Sequence, residues 1–174
     1  MKHAQVMIGT VAALLLAVGV ATAPAQPQLS GTWVLDRAQS QLPSHEGQNK
    51  PSPDAQAPPP EVKLRVEQQG NAVKVTRTMT MGTRERSMTD TYVADGSDQT
   101  HRGYRGGNVV TRAAFEGDRL VVTVMQTRKS DQGERTMSQH STWSVSPDGR
   151  LLTIDTTMQT PSGDRAMKTV YVRS

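Results

Sequence analysis

Few side chains in this 174-residue sequence have types and spacing suited to chemistry: Asp90 with His101, Arg77 with Arg86, and a scatter of methionines. A hairpin that set the Asp90 carboxylate beside the His101 imidazole would orient a general base. Nucleophilic hydrolysis asks for more. The chain has no G-x-S-x-G, no cysteine and no definite serine partner for that pair, so no enzymatic activity and no catalytic residue is expected. Thioether and imidazole ligands suit copper. Yet Met79, Met81, Met88, Met125, Met137, Met158 and Met167 fall into no M-x-x-M or H-x-x-x-H cluster. His45 stands alone, and His140 shares the outward parity of Thr142. Methionine as a pliable core filler in a chain with one Phe is the reading adopted, with no metal and no cofactor expected. The remaining chemistry is anion capture. A guanidinium held away from water must be paired, hydrated or waiting for an anion.

The elements that would carry these groups are strands. From Glu61 onward, runs such as VKLRVEQ, VKVTRTM, VVTRAAF, LVVTVMQ and LLTIDTTMQ alternate at period two. Turns such as QGNA, MGTR, ADGS, EGDR and SPDGR separate them at short intervals. Valine, threonine and alternation favour strands, and Asp-Gly-like turns between them favour hairpins. The expected fold is all-β, an antiparallel up-and-down meander of about eight to ten strands closing into a barrel. A two-sheet sandwich needs long crossovers, which are lacking after residue 61.

Hairpin parity then sorts the faces. A two-residue Gly82-Thr83 turn sets Met79 opposite Arg86, Arg77 opposite Met88, Val75 opposite Asp90 and Val73 opposite Tyr92. These face inward, and the Thr- and Ser-rich alternate face is wet. Carried through Asp95-Gly96, the same logic pairs Tyr92 with Gln99 and Asp90 with His101. Arg77 can then pair with Asp90, which leaves Arg86 as the clamp for a carboxylate or similar head group. Later hairpins set Val109, Thr111, Ala113 and Phe115 against Leu120, Val122, Val124 and Gln126. Trp143 shares a face with Met137, Gln139, Ser141 and Val145. Leu152, Ile154, Thr156 and Met158 share one with Met167, Thr169, Tyr171 and Arg173.

The first 25 residues run from Lys2 through an apolar stretch at Val6–Val20 to Ala23-Pro24-Ala25. That is the order of a secretory signal peptide, with a mature domain at 26–174 in the periplasm or outside the cell. The apolar run is short for a membrane span, and no integral membrane segment is expected in the mature part. The formal charge of +4, or +3 without Lys2, suits anionic small molecules or envelope surfaces better than nucleic acid. Residues 41–60 form a polar, proline-rich loop, a lid or a disordered segment by composition. Asp36 can cap a short helical turn over Arg37–Ser40.

Gly31-Thr32-Trp33 opens the first strand, and Arg173 closes the last. This G-x-W resembles the lipocalin signature, in which the Trp plugs the closed end of the barrel and a terminal Arg lies across it. GTWVLDRAQS, YVADGS, FEGDRLVVT and STWSVSPDGRLLTI further resemble small bacterial secreted lipocalin-like proteins, a calycin-type barrel group. The resemblance covers nearly the whole mature chain and implies structural roles for Gly31, Trp33, Trp143 and Arg173. The proline-rich insert departs from the pattern, as does an aromatic content of 3%, which is low for a pocket holding large flat ligands.

The expectation is therefore a monomeric barrel binding a small hydrophobic or amphiphilic anion non-covalently, through Arg77, Arg86, Asp90, Tyr92, His101, Met79 and Met88. The alternative is a ligand-free envelope protein acting through its surface or its loop. A hollow of roughly 300 Å³ or more favours the first, and a packed interior the second.

Overall fold

The computed structural model describes residues 26–42, 59–103, 107–130, 133–160 and 163–174. The leader-like segment 1–25, the proline-rich residues 43–58 with His45, and turn residues 104–106, 131–132 and 161–162 lie outside them. Ten strands follow one another: β1 (Gly31–Gln41), β2 (Glu61–Gln69), β3 (Ala72–Met81), β4 (Arg84–Val93), β5 (Asp95–Arg102), β6 (Asn108–Glu116), β7 (Arg119–Ser130), β8 (Gly133–Val145), β9 (Leu151–Thr160) and β10 (Gly163–Arg173). They form one antiparallel sheet in the order β4-β3-β2-β1-β10-β9-β8-β7-β6-β5. Pairing of β1 with β10 wraps the sheet into a nearly closed barrel, with β4 and β5 as its two edges. Among the described residues no helix is long and apolar enough to cross a membrane.

The meander follows from the turns. Gly82, with a φ of 58°, closes the β3–β4 hairpin in the expected register, Met79 opposite Arg86 through Val73 opposite Tyr92. The β6–β7 and β9–β10 pairs also match, Phe115 facing Leu120 and Tyr171 facing Leu152.

Asp95-Gly96 behaves otherwise. No hairpin forms there, because β5 pairs with β6, placing Gln99 opposite Thr111 and His101 opposite Val109. Ala94 is buried and its N–H donates to the Asn71 carbonyl at 2.7 Å, which carries the β3–β4 ladder one step past Val93. The Asp95 carboxylate then accepts from the Ser97 N–H at 2.8 Å and from its hydroxyl at 2.6 Å. Those bonds start β5 in a new direction and leave a gap between β4 and β5.

The helical turn expected at Arg37–Ser40 is also absent; the segment belongs to β1. Its pairing with β10 shifts between Asp36, opposite Val170, and Gln41, opposite Lys168, so extra residues bulge from one strand. Asp36 does cap, within this bulge. Its carboxylate accepts from the N–H groups of Ala38 at 2.9 Å and Gln39 at 3.2 Å. The Gln39 side-chain amide bonds it at 2.8 Å, and these contacts hold its pKa below the usual carboxylate range.

The core fills only one end. Leu29, Trp33, Leu64, Val66, Val73, Val75, Leu120, Leu152 and Tyr171 pack there with Ala113, Val122, Trp143 and Ile154. Trp33 is fully buried, donates from Nε1 to the Leu29 carbonyl at 3.0 Å and lies 4.1 Å beneath the Arg173 guanidinium. Arg173 is pinned in turn by the carbonyls of Gly149 at 2.7 Å and Ser30 at 2.8 Å. The glycine before the Trp now has its reason. Gly31 has a φ of 146°, and a Cβ on it would stand 2.4 Å from Arg173 Nη1.

At the opposite end the same inward parity is wet. Met81 is 60% and Met88 66% exposed, and Met79 and Met137 are exposed as well; Met125, also exposed, lies on the outer face next to inward Val124. Methionine is therefore not the core filler expected of it; Val, Leu and Trp occupy the core, and most of the methionines sit near the open end.

Candidate functional site

Above the packed end lies a hollow of about 310 Å³. Its apolar lining is Leu35, Val62, Val122, Val124 and Ile154, from β1, β2, β7 and β9. Polar side chains line it from β8 to β10, with Gln139, Ser141, Thr156 and Thr169. Leu42, Pro60 and Arg37 also border the hollow, and Arg37 Nη2 ties β1 to the start of β2 by a 2.7 Å bond to the Pro60 carbonyl. Period-two alternation places each of these side chains on the concave face.

Arg77 of β3, an exposed residue, borders this space together with two phenols, Tyr92 of β4 and Tyr171 of β10, and its charge acts on both. Burial, reinforced by the Asp90 charge, pushes the Tyr92 hydroxyl up to about 12, while the Arg77 charge pulls the other way. Burial likewise raises Tyr171, opposed by Arg77 and by a hydrogen bond with Thr169. At neutral pH the site therefore offers two guanidinium cations, Arg77 and the Pro60-bonded Arg37, and two neutral hydroxyls. Among the described residues Arg77 forms no ion pair and no side-chain hydrogen bond, with Asp90 or any other group. The Arg77–Asp90 pairing expected from the sequence is not made.

The raised phenol gives an alkaline signature. Between its ordinary value of 10.0 and about 12, the unfolded chain has released the Tyr92 proton and the folded chain still holds it. The unfolded state then binds fewer protons, so stability falls as pH rises through that window. The expected loss is about 2 kcal/mol, discounted for partial exposure. Urea midpoints at pH 9 and pH 11.5 measure it, and Tyr92→Phe should flatten the dependence, leaving the smaller part due to Tyr171. An unchanged slope in that variant would discard the assignment.

A second hollow of about 350 Å³ lies against β3 and β4, bordered by Arg77, Met79, Arg86, Ser87 and Met88. Arg77 and Met79 border both spaces. Of the residues expected to bind ligand, Arg77, Met79 and Tyr92 come together at the main hollow, and Arg86 and Met88 line only the second. Asp90 borders neither and acts through its charge on Tyr92. His101 is exposed on β5, across the unpaired gap from β4, so the Asp90–His101 pair is not formed. Among the described residues no cluster of three or more His, Asp or Glu could hold a metal.

Tyr171, Ser141, Thr156, Thr169 and Gln139 border the hollow without having been singled out. Parity had put them on inner faces; the missing element was the β1–β10 closure that carries those faces round to Arg77. The open half also has a charge bias. Inward register positions there carry Arg37, Arg77, Arg84, Arg86, Arg135 and Arg165, against Asp90 as the one acid among the described residues.

No family model matches the chain, and no curated protein does. Solved structures do. The likeness shows the fold alone, an antiparallel up-and-down β-barrel. A secretory abundant heat soluble protein from Ramazzottius varieornatus superposes with a TM-score of 0.50 at 12% identity, over 88% of this chain and 100% of that one. Secretory abundant heat soluble protein 4 of the same organism gives 0.49 at 12%, over 83% and 94%. Zebrafish ileal bile acid-binding protein complexed with cholic acid gives 0.48 at 13%, over 83% and 98%.

Proposed function

We propose that this barrel binds a small amphiphilic anion non-covalently, with the head group at Arg77 and the tail along Leu35, Val62, Val122 and Val124. The observation that carries the reading is an unpaired guanidinium that borders, with two neutral phenols, a hollow of about 310 Å³. That volume stands at the lower end of the roughly 300–1,000 Å³ of small-molecule sites, which favours a compact or short-chain ligand. It weighs against the alternative of a barrel packed solid and acting only through its surface. Inward arginines of the open half add a field that draws anions toward the mouth. The signal-like order of the first 25 residues supports export of the mature domain, which the N-terminal residue of protein purified from its host would test.

The binding test is displacement of the fluorescent anion 1-anilinonaphthalene-8-sulfonate by decanoate and by decanol. A charge-assisted head-group contact makes decanoate about tenfold the better competitor at low salt, with the advantage shrinking as salt rises. Equal competition would remove the head-group assignment. A barrel that takes up neither dye nor decanoate would remove the binding reading.

A further inference from the structure

The polar wall of the main hollow asks for something a plain alkyl chain lacks. Ser141 and Thr156 are both buried, and their hydroxyls meet at 3.2 Å. Gln139 adds its amide, donating to Ser141 Oγ at 3.2 Å. Next along the inward face of β8 comes Trp143, 4% exposed, with the edge of Tyr92 against it at 6.3 Å between ring centroids. Its indole Nε1 is buried and has no hydrogen-bond partner. Trp33 marks the contrast, since its Nε1 is satisfied by the Leu29 carbonyl. A buried donor without an acceptor is costly and rare, and here it belongs to a side chain that lines the hollow.

We infer that the ligand carries a hydroxyl remote from its anionic head, accepting from Trp143 Nε1 and donating to the Ser141–Thr156–Gln139 wall. The binding class is then a hydroxylated amphiphilic anion, its hydroxyl placed toward the polar lining of β8 to β10. This rests on the anion-binding reading above. A saturated tail would leave the indole N–H unmet and cover the wall hydroxyls with hydrocarbon, whereas a hydroxyl in a purely apolar pocket would weaken binding. The sign of the hydroxyl's effect therefore reports on the wall.

The experiment titrates the full ¹⁵N-labelled chain with decanoate, 6-hydroxydecanoate and 10-hydroxydecanoate, following the two assigned indole N–H signals. One of the hydroxylated probes should bind about fivefold tighter than decanoate and move the Trp143 signal downfield, leaving Trp33 in place. In Trp143→Phe the affinity ratio of the preferred hydroxylated probe to decanoate should fall to about one. Should the variant not fold, the wild-type indole shift decides. Hydroxylated probes that bind no tighter than decanoate, or that leave the Trp143 signal unmoved, overturn the inference and spare the anion-binding reading. Failure of all three probes to bind overturns both.

Discussion

Trp33→Ala is expected to lower the stability of this barrel by about 3–5 kcal/mol, the cost of emptying a buried indole site that can collapse only in part. The side chain is fully buried at the end where β1 meets β10, among Leu29, Leu64 and Leu152. More than volume is lost. The Leu29 carbonyl loses its donor, and Arg173 loses the ring 4.1 Å below its guanidinium while its bonds to Gly149 and Ser30 remain. Since a domain of this size holds roughly 5–15 kcal/mol in all, the variant should sit near the edge of folding. Trp33→Phe retains the apolar plug and should cost about half as much. Urea unfolding followed by circular dichroism measures both. A loss under about 1 kcal/mol for Trp33→Ala would mean that the plug is peripheral to the fold. Trp33 does not border the main hollow, so Trp33→Phe should leave decanoate affinity within about twofold.

Local rules carried the sequence reading as far as they applied. Gly82 needs a left-handed conformation, a two-residue turn sets parity, and parity set every partner from Met79–Arg86 to Val73–Tyr92. Asp95-Gly96 shows where such rules stop. The dipeptide has the hairpin signature, but Ala94 stays in the β3–β4 ladder opposite Asn71 and β5 takes β6 as its partner, a choice between strands that no turn rule contains. The broken hairpin dissolved the Asp90–His101 pair, which required it; Arg77 and Asp90 keep the expected register on β3 and β4 and still form no ion pair. The methionines failed for a related reason. Outward Met125 aside, the exposed ones had inward parity, but inward at the open end means solvent, and position along the barrel axis cannot be read from alternation. The orphaned Trp143 donor was out of reach altogether, because its lack of a partner depends on every neighbour across three strands.

The same correction moves the anion clamp. With Arg77 taken up by Asp90, Arg86 would be the free cation; without that pair, Arg77 is the guanidinium in the main hollow and Arg86 faces only the outer one. Arg77→Leu is therefore expected to weaken decanoate binding about ten- to hundredfold, the range for losing a hydrogen-bonded charge contact in a partly dry site. Arg86→Leu should weaken it less than about threefold, through the general field alone. Arg65→Leu, on the outer face in an exposed pair with Glu67, is the neutral reference. Arg77→Lys separates charge from shape, since an ammonium keeps the attraction but lacks the planar fork that grips a carboxylate at two points. Its affinity should fall between wild type and Arg77→Leu. Calorimetry at low and moderate salt gives the comparison, and decanol serves as the uncharged partner in each case. If Arg86→Leu proves as damaging as Arg77→Leu, the head group lies in the outer hollow against β4, and the two phenols have no part in holding it. If neither arginine matters while decanoate still binds, the ligand is held by its tail alone, and the selectivity for anions must vanish with it.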